Sequence, residues 1–122
     1  MKAISIKQPW ATAIFRGKNL ENRAKPSKHR GTLLIHASLR SDKEASAFIK
    51  KNFPGVLREV EFYALGCIIG KVQMVDCVKE HSSRWFLGPY GYVFESPILF
   101  RKPIPYSGKL GLFNVPDNLI EV

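Results

Sequence analysis

Three charged side chains follow Gly17 at spacings that can bring them to one site: Lys18, Glu21 and Arg23. If the chain is extended from Asn19 onward, Glu21 and Arg23 point to the same face, because side chains alternate along a strand. A carboxylate and a guanidinium beside an ammonium group can bind a phosphate or the polar edge of a nucleobase. A lysine partly removed from water beside another cation can also act as a base or a nucleophile. On spacing alone a surface ion pair beside a solvated lysine is favoured, because such pairs are common and weak.

A strand and a short helix ahead of this group are predicted to position it. Residues 3–6 have the pattern of a strand. Pro9 suits the first turn of a helix, because its fixed φ is helical and its missing N–H is not needed there. Gly17 is a natural end for that helix, since glycine adopts positive φ without a steric penalty. The apolar side chains that share one face of the helix are Trp10, Ala13 and Ile14.

Further polar and aromatic groups flank these elements. Gln8 precedes the proline and offers both a donor and an acceptor to a ligand. Trp10 fits the core by its helical spacing. Tyr90 and Tyr92 lie in a glycine-rich turn beside a strand, where they are equally consistent with stacking on a base and with ordinary packing.

The later chain predicts a second helix and several short strands. Ser41 and Glu44 form a capping box, which predicts that a helix begins with Ser41 as its N-cap. Residues 54–55, Pro-Gly, end that helix. The predicted strands are residues 32–37, 63–78, 92–100 and 112–115, with the prolines at 103 and 105 in a loop. Many short strands with two helices near the front indicate an α+β fold built as a small mixed barrel.

Three residues inside the predicted strands need an explanation. Gly70 predicts a bulge or a sharp bend. Asp76 must find a partner if it is buried, and it is either hydrogen-bonded to a loop amide or an acid of the site. His36 lies in an apolar strand, which is more typical of a hydrogen-bonded core histidine than of a catalyst.

Composition narrows the class of partner. The chain has 122 residues and a formal net charge of +9. That size suits one domain. The positive charge is better explained by a nucleic-acid partner than by solubility alone. No stretch approaches the roughly 20 apolar residues of a membrane helix, and the N-terminus has no apolar secretory region. We therefore expect a cytoplasmic protein that has no membrane contact; the sequence does not indicate its oligomeric state.

Cysteines and histidines carry no metal or redox pattern. Cys67 and Cys77 would lie too far apart on one extended strand to form a disulfide, so we expect reduced thiols. His29, His36 and His81 are widely separated in the sequence, and no zinc-binding spacing occurs. We accordingly expect no metal site and no cofactor.

Several segments, in this order, resemble the ASCH domain, a relative of the PUA RNA-binding domain. The first are Ser-Ile-Lys-Gln-Pro-Trp-Ala at residues 5–11, then Gly17-Lys18 and Glu21-x-Arg23. Later ones are residues 31–38, 88–94 and 103–113. The resemblance covers nearly the whole chain and implies one domain over residues 1–122. It implies a PUA-like mixed β-barrel with two or three helices packed at its mouth. The Gln-Pro-Trp and Gly-Pro-Tyr-Gly-Tyr segments are most similar to the branch that includes EOLA-like and small bacterial ASCH proteins.

The resemblance also implies a function: RNA or a modified nucleoside binds in a cleft between barrel and helices. The alternative is a hydrolase in the same pocket, either a ribonuclease or an amidohydrolase acting on N4-acetylcytidine. The amidohydrolase branch uses a lysine, a threonine and a glutamate. Its lysine matches Lys18, but Glu21 stands where it has threonine, and either Glu80 or Glu95 fits the later glutamate. A third hypothesis, a protein-interaction module, leaves the positive charge unexplained.

The predicted site therefore has three groups. Lys18 and Glu21 are the catalytic residues if the protein is an enzyme. The predicted contacts to the RNA backbone are Lys25, Lys28, Arg30 and Lys109. The predicted ligand-binding residues are Ser5, Lys7, Gln8, Trp10, Lys18, Glu21, Arg23, Tyr90 and Tyr92.

Overall fold

A computed structural model describes residues 1–120 as one mixed β-sheet with two α-helices. The first half of the chain forms β1 (Lys2–Gln8), α1 (Trp10–Ile14), β2 (Leu20–Arg23), β3 (Gly31–Ser41) and α2 (Lys43–Asn52). The second half forms β4 (Cys67–Val78), β5 (Tyr90–Pro105), β6 (Leu112–Asn114) and a 3₁₀ turn, Asp117–Leu119. No helix within these residues is long and apolar enough to cross a membrane.

The sheet is open, with the strand order β2-β5-β4-β3-β1-β6. Strands β1 and β3 pair in parallel, and the other neighbouring strands are antiparallel. The predicted α+β fold and mixed sheet are confirmed. The predicted closed barrel is not, because β2 and β6 lie at opposite edges and do not pair with each other within residues 1–120.

Both faces of the central strands are buried, as the apolar run of β3 predicts. On one face Ile4 and Ile6 of β1 pack with Leu33 and Ile35 of β3 beneath α1. On the opposite face Leu34 packs in a second cluster with the 113–120 segment. Burial on both sides fixes the pairing of β1 and β3, since a slip of one residue would exchange the two faces.

Two glycines shape the chain near the site as predicted. Gly17 has φ +112°, and the Lys18 amide donates to the Ala13 carbonyl at 3.0 Å, which ends α1. Gly70 lies in β4 where a Cβ would approach the Ile98 carbonyl oxygen to 2.4 Å. The pairing of β4 with β3 and β5 shifts register beside it, as expected for a bulge.

The bounds of β4 and β5 differ from the prediction. β4 begins at Cys67 rather than at residue 63, and β5 continues through Pro105. The prolines at 103 and 105 thus lie in the strand and not in a loop. A proline is tolerated there because it lacks only the N–H and keeps a carbonyl to accept a bond.

The N-cap of α2 is Asp42, so the prediction of Ser41 is wrong. Asp42 Oδ1 accepts from the Ala45 amide at 3.2 Å, and Asp42 Oδ2 accepts from Trp10 Nε1 at 3.0 Å. The reason is non-local: Gln8 of β1 pairs with Ser41, which holds Ser41 in β3 and delays the helix by one residue. The Trp10 bond lowers the pKa of the Asp42 carboxyl, while burial opposes that shift.

Replacing Asp42 with alanine is expected to lower the free energy of unfolding by about 2 kcal/mol, through loss of the cap and of the Trp10 bond. The control Ser41→Ala should change it by less than about 0.5 kcal/mol. Because the folded pKa of Asp42 is depressed, its charge-dependent contribution is complete above the ordinary carboxyl pKa of about 4 and is lost as pH falls through the folded pKa. Urea unfolding should show the stabilities of wild type and Asp42→Ala approaching each other only in acid. Equal losses of stability in Asp42→Ala and Ser41→Ala would contradict the assignment of Asp42 as the N-cap.

Candidate functional site

A cleft of about 690 Å³ opens where β1, β2 and β3 meet the loop that precedes β6. Parallel pairing of β1 and β3 places Ser5 beside His36, and β2 lies across from them. The lining includes Ser5, Lys7, Trp10, Glu21, Arg23, His36, Arg40 and Lys109. Four predicted ligand-binding residues besides Ser5 therefore line one cleft, together with one residue predicted to contact the RNA backbone.

Lys18, Glu21 and Arg23 form one linked charge cluster beside the cleft. Lys18 Nζ donates to the Leu20 carbonyl at 2.6 Å and to Glu21 Oε1 at 2.8 Å. Arg23 Nη2 lies 3.1 Å from Glu21 Oε2. Lys18 is 2% exposed, and its Nζ lies 5.5 Å from the centre of the Trp10 ring. The ion pair is therefore interior rather than a surface pair, and Glu21 has both carboxylate oxygens bound by cations.

Arg23 connects β2 to β1. Its Nη2 also donates to the Ser5 carbonyl at 2.9 Å. Its buried Nε has no hydrogen-bond partner within residues 1–120. The same strand carries Asn22, whose side chain binds the Trp85 carbonyl and accepts from the Leu87 amide. Asn22 is a positioning residue that the sequence patterns do not reveal, because its partners are more than 60 residues away.

Ser5 and His36 form a hydrogen-bonded pair in the cleft. His36 Nε2 lies 2.6 Å from the Tyr106 carbonyl, and His36 Nδ1 lies 2.9 Å from Ser5 Oγ. A carbonyl only accepts, so in the neutral ring Nε2 carries the proton and Nδ1 accepts from the Ser5 hydroxyl. His36 is hydrogen-bonded and buried, as predicted, but its ring also contributes to the cleft wall.

Three exposed cations surround the opening: Lys7, Arg40 and Lys109. None of them forms an ion pair with a described residue of the chain. Lys7 lies near enough to Asp42 to contribute slightly to the lowered pKa of that carboxyl. Glu21 is the one acid in the lining, and it is already paired, so the opening carries excess positive charge.

Comparison with known proteins identifies the family of this fold and cleft. The family model described as the ASCH domain matches residues 4–108. The chain belongs to the ASCH domain family. It is 30% identical over 103 residues to human "Activating signal cointegrator 1", which covers 80% of this chain and 18% of that protein. It is 34% identical over 83 residues to the mouse protein of the same name, which covers 63% of this chain and 14% of that protein.

This ASCH domain thus spans less than a fifth of the length of the curated relatives it matches. ASCH domains are generally linked to RNA binding. Its placement in the EOLA-like branch of the family stays a prediction.

Four predicted ligand-binding residues of this ASCH domain lie outside the cleft lining. Gln8 is 1% exposed, and its amide binds the Ala64 carbonyl at 3.0 Å and the Thr12 amide at 2.9 Å. Tyr92 is buried, and its hydroxyl donates to the Lys25 carbonyl at 2.8 Å. Burial raises the pKa of the Tyr92 hydroxyl. Tyr90 lies on the same strand with Lys79 Nζ 6.0 Å from its ring centre. Lys18 is the fourth, and its ammonium is bound by the Leu20 carbonyl and Glu21.

The other predicted basic contacts lie on the loop between β2 and β3. Lys25, Lys28 and Arg30 are exposed there, away from the cleft lining. Arg30 Nη1 donates to the Ser27 and His29 carbonyls, and its Nη2 lies 3.7 Å from Asp76 Oδ1. Asp76 is exposed and belongs to this surface pair, and its Oδ1 also accepts from the Cys77 amide at 2.8 Å. It is absent from the cleft lining.

The histidine, cysteine and acidic side chains of the described residues are the groups that could provide a metal site or a reactive thiol. No group of three or more His, Cys, Asp or Glu side chains there is arranged to hold a metal ion. Cys67 and Cys77 are both free thiols, as the sequence predicts. Burial raises the pKa of the Cys67 thiol, which makes it a poor nucleophile.

Proposed function

We propose that this ASCH domain binds RNA, or a modified nucleoside, in the cleft beside Glu21. The observation that carries the proposal is the charge arrangement. Lys7, Arg40 and Lys109 are exposed at the opening without a carboxylate partner within residues 1–120, while the one acid of the lining is already neutralised. Unpaired cations around a concave site attract a polyanion, and single-stranded RNA supplies one charge per nucleotide.

The inner end of the cleft offers groups for a nucleobase. Glu21 has each carboxylate oxygen bound to one cation, which leaves further lone pairs to accept an N–H from a base. Arg23 Nη1 makes no hydrogen bond within the described chain and can donate to a carbonyl or phosphate oxygen. Trp10 and the exposed side chains of Leu39 and Leu110 supply apolar surface beside these polar groups.

A hydrolase centred on Lys18 is less well supported by these contacts. Lys18 Nζ donates to the Leu20 carbonyl and to Glu21 Oε1, its side chain is 2% exposed, and it is absent from the cleft lining. A base or nucleophile must reach its substrate, and these contacts hold the Lys18 amine away from the cleft. We therefore assign Lys18 the role of holding Glu21 in place.

Base preference tests the role of Glu21. Cytidine and adenosine carry an exocyclic amine that donates to a carboxylate, whereas uridine places carbonyl oxygens on both sides of its N–H. We expect cytidine to bind more tightly than uridine by roughly tenfold, the value of one charge-assisted hydrogen bond. Glu21→Gln should reduce that ratio toward one in isothermal titration calorimetry.

The ratio of the two affinities is informative because general loss of stability lowers both. Asp76→Asn is the matched control, since Asp76 is also paired with an arginine but lies outside the cleft. It should leave the cytidine-to-uridine ratio unchanged. A ratio that survives Glu21→Gln would remove Glu21 from the base-binding site.

A further inference from the structure

We propose that Ser5 is a nucleophile activated by His36, and that the cleft hydrolyses small carboxylic esters of a sugar hydroxyl. This activity goes beyond RNA or nucleoside binding and does not depend on it. The two side chains are neighbours in the parallel pairing of β1 and β3, and both line the cleft. Ser5 is part-exposed, whereas His36 is 1% exposed and is held by two hydrogen bonds.

The geometry fixes the direction of proton transfer. Tyr106 O accepts from His36 Nε2 at 2.6 Å, which leaves Nδ1 free to accept from Ser5 Oγ at 2.9 Å. Transfer of the hydroxyl proton to Nδ1 produces an imidazolium whose second N–H is already bound by a carbonyl. A serine beside a base that is itself oriented by a third group is the arrangement that activates a hydroxyl for attack.

Ser5 lines the cleft, and a cation lies beside it. A Cβ at position 108 would lie 2.9 Å from Ser5 Oγ and 2.8 Å from His36 Cε1, so only glycine lets the 106–111 loop pack this closely against the pair. The Arg23 guanidinium contacts the Ser5 carbonyl through Nη2 and can donate to a developing oxyanion through Nη1. The other serine of the cleft lining, Ser38, is not hydrogen-bonded to a histidine, and its Oγ accepts from the Arg40 amide.

The reaction balances as two acyl transfers. Ser5 Oγ bonds to the ester carbonyl carbon while its proton moves to His36 Nδ1, and the bond to the sugar oxygen then breaks as that oxygen takes the proton. Water repeats the sequence on the acyl-serine and releases the carboxylic acid. A main-chain carbonyl stabilises the imidazolium less than a carboxylate would, so we expect esters, with their better leaving groups, to react and amides to be inert.

A fluorophosphonate probe tests the nucleophile directly. Its phosphorus bonds to a reactive serine oxygen with loss of fluoride, and the adduct is located by intact mass and peptide mapping. We expect one adduct per chain, at Ser5, absent in Ser5→Ala and formed at least about 100-fold more slowly in His36→Gln. Gly108→Ala should also slow the labelling, because the added methyl would collide with Ser5 Oγ and the His36 ring and displace the pair.

Ser46→Ala is the control, since Ser46 lies on α2, outside the cleft lining. It should label at the wild-type rate, and wild type should release acid from an acetylated nucleoside ester but not from the corresponding amide. Absence of an adduct on folded wild type, or an unchanged adduct in Ser5→Ala, would overturn the proposal. The Ser5–His36–Tyr106 bonds would then serve to hold the 106–111 loop on the sheet. Neither result alters the nucleoside affinities that test the proposed binding function.

Discussion

Replacing Lys18 with methionine is expected to lower the free energy of unfolding by about 3 kcal/mol, the cost of removing one partner of a buried ion pair. Methionine keeps most of the side-chain volume, so packing contributes little to the loss. What remains is Glu21 at 12% exposure with one cation fewer, and a Leu20 carbonyl without its donor. An interior charge left without its partner is costly because water cannot replace the lost bonds.

The measurement is urea unfolding monitored by tryptophan fluorescence, with Lys7→Met as the matched control. Lys7 is an exposed lysine of the same cleft that forms no ion pair with a described residue. The control should change stability by less than about 0.5 kcal/mol. A loss below about 1 kcal/mol in Lys18→Met would contradict this prediction. It would mean that the Lys18–Glu21 pair contributes no more than a weak surface ion pair, as the spacing alone suggests.

Removing the three cations at the cleft opening is expected to weaken binding of single-stranded RNA by roughly fifty-fold at about 0.15 M salt. The variant is Lys7→Ala, Arg40→Ala and Lys109→Ala together. If each side chain contacts one phosphate, wild-type affinity should fall with salt at a slope of roughly −2 on logarithmic axes, and the variant's slope should be near zero. Fluorescence anisotropy over a salt series measures both quantities.

A charge-matched control separates the cleft from the rest of the basic surface. Lys51, Arg101 and Lys102 are exposed and lie outside the cleft lining, and replacing them also removes two lysines and one arginine. That variant should retain binding within about threefold, since only long-range attraction is lost. Equal losses in the two variants would indicate binding spread over the whole surface.

The local features of this fold can be predicted from sequence because their causes are local. The C-terminal end of α1 and the bend in β4 follow from Gly17 and Gly70, whose backbone freedom and missing Cβ the structure uses directly. Strand alternation likewise places Glu21 and Arg23 on one face, and the structure pairs them at 3.1 Å.

Features that depend on strand register cannot be read from the sequence. Pairing of Gln8 with Ser41 extends β3 and moves the cap of α2 to Asp42, against the capping box that the sequence shows. The same parallel pairing brings Arg40 to the cleft, although no motif marks it as a site residue. Closure into a barrel is also non-local, and here β2 and β6 remain edges.

Burial decides which polar motif residues are available to a ligand. Gln8 and Tyr92 have the chemistry to contact a base, but each uses its polar group on a main-chain partner in the interior. Lys18 is likewise occupied, since its ammonium donates to the Leu20 carbonyl and to Glu21. Residue type and spacing describe what a side chain can do, and its distant neighbours decide whether that capacity is free.

Mapping of a short single-stranded RNA by ¹⁵N-resolved NMR tests the central claim, that RNA binds in this cleft, most directly. Amide signals of residues 5–7, 21–24, 38–40 and 108–111 should shift on titration, because these segments form the cleft wall. Signals of α2 and of the outer part of β5 should stay in place, since neither lines the cleft. Shifts confined to α2 or β5, or no shifts at millimolar RNA and low salt, would contradict RNA binding in the cleft.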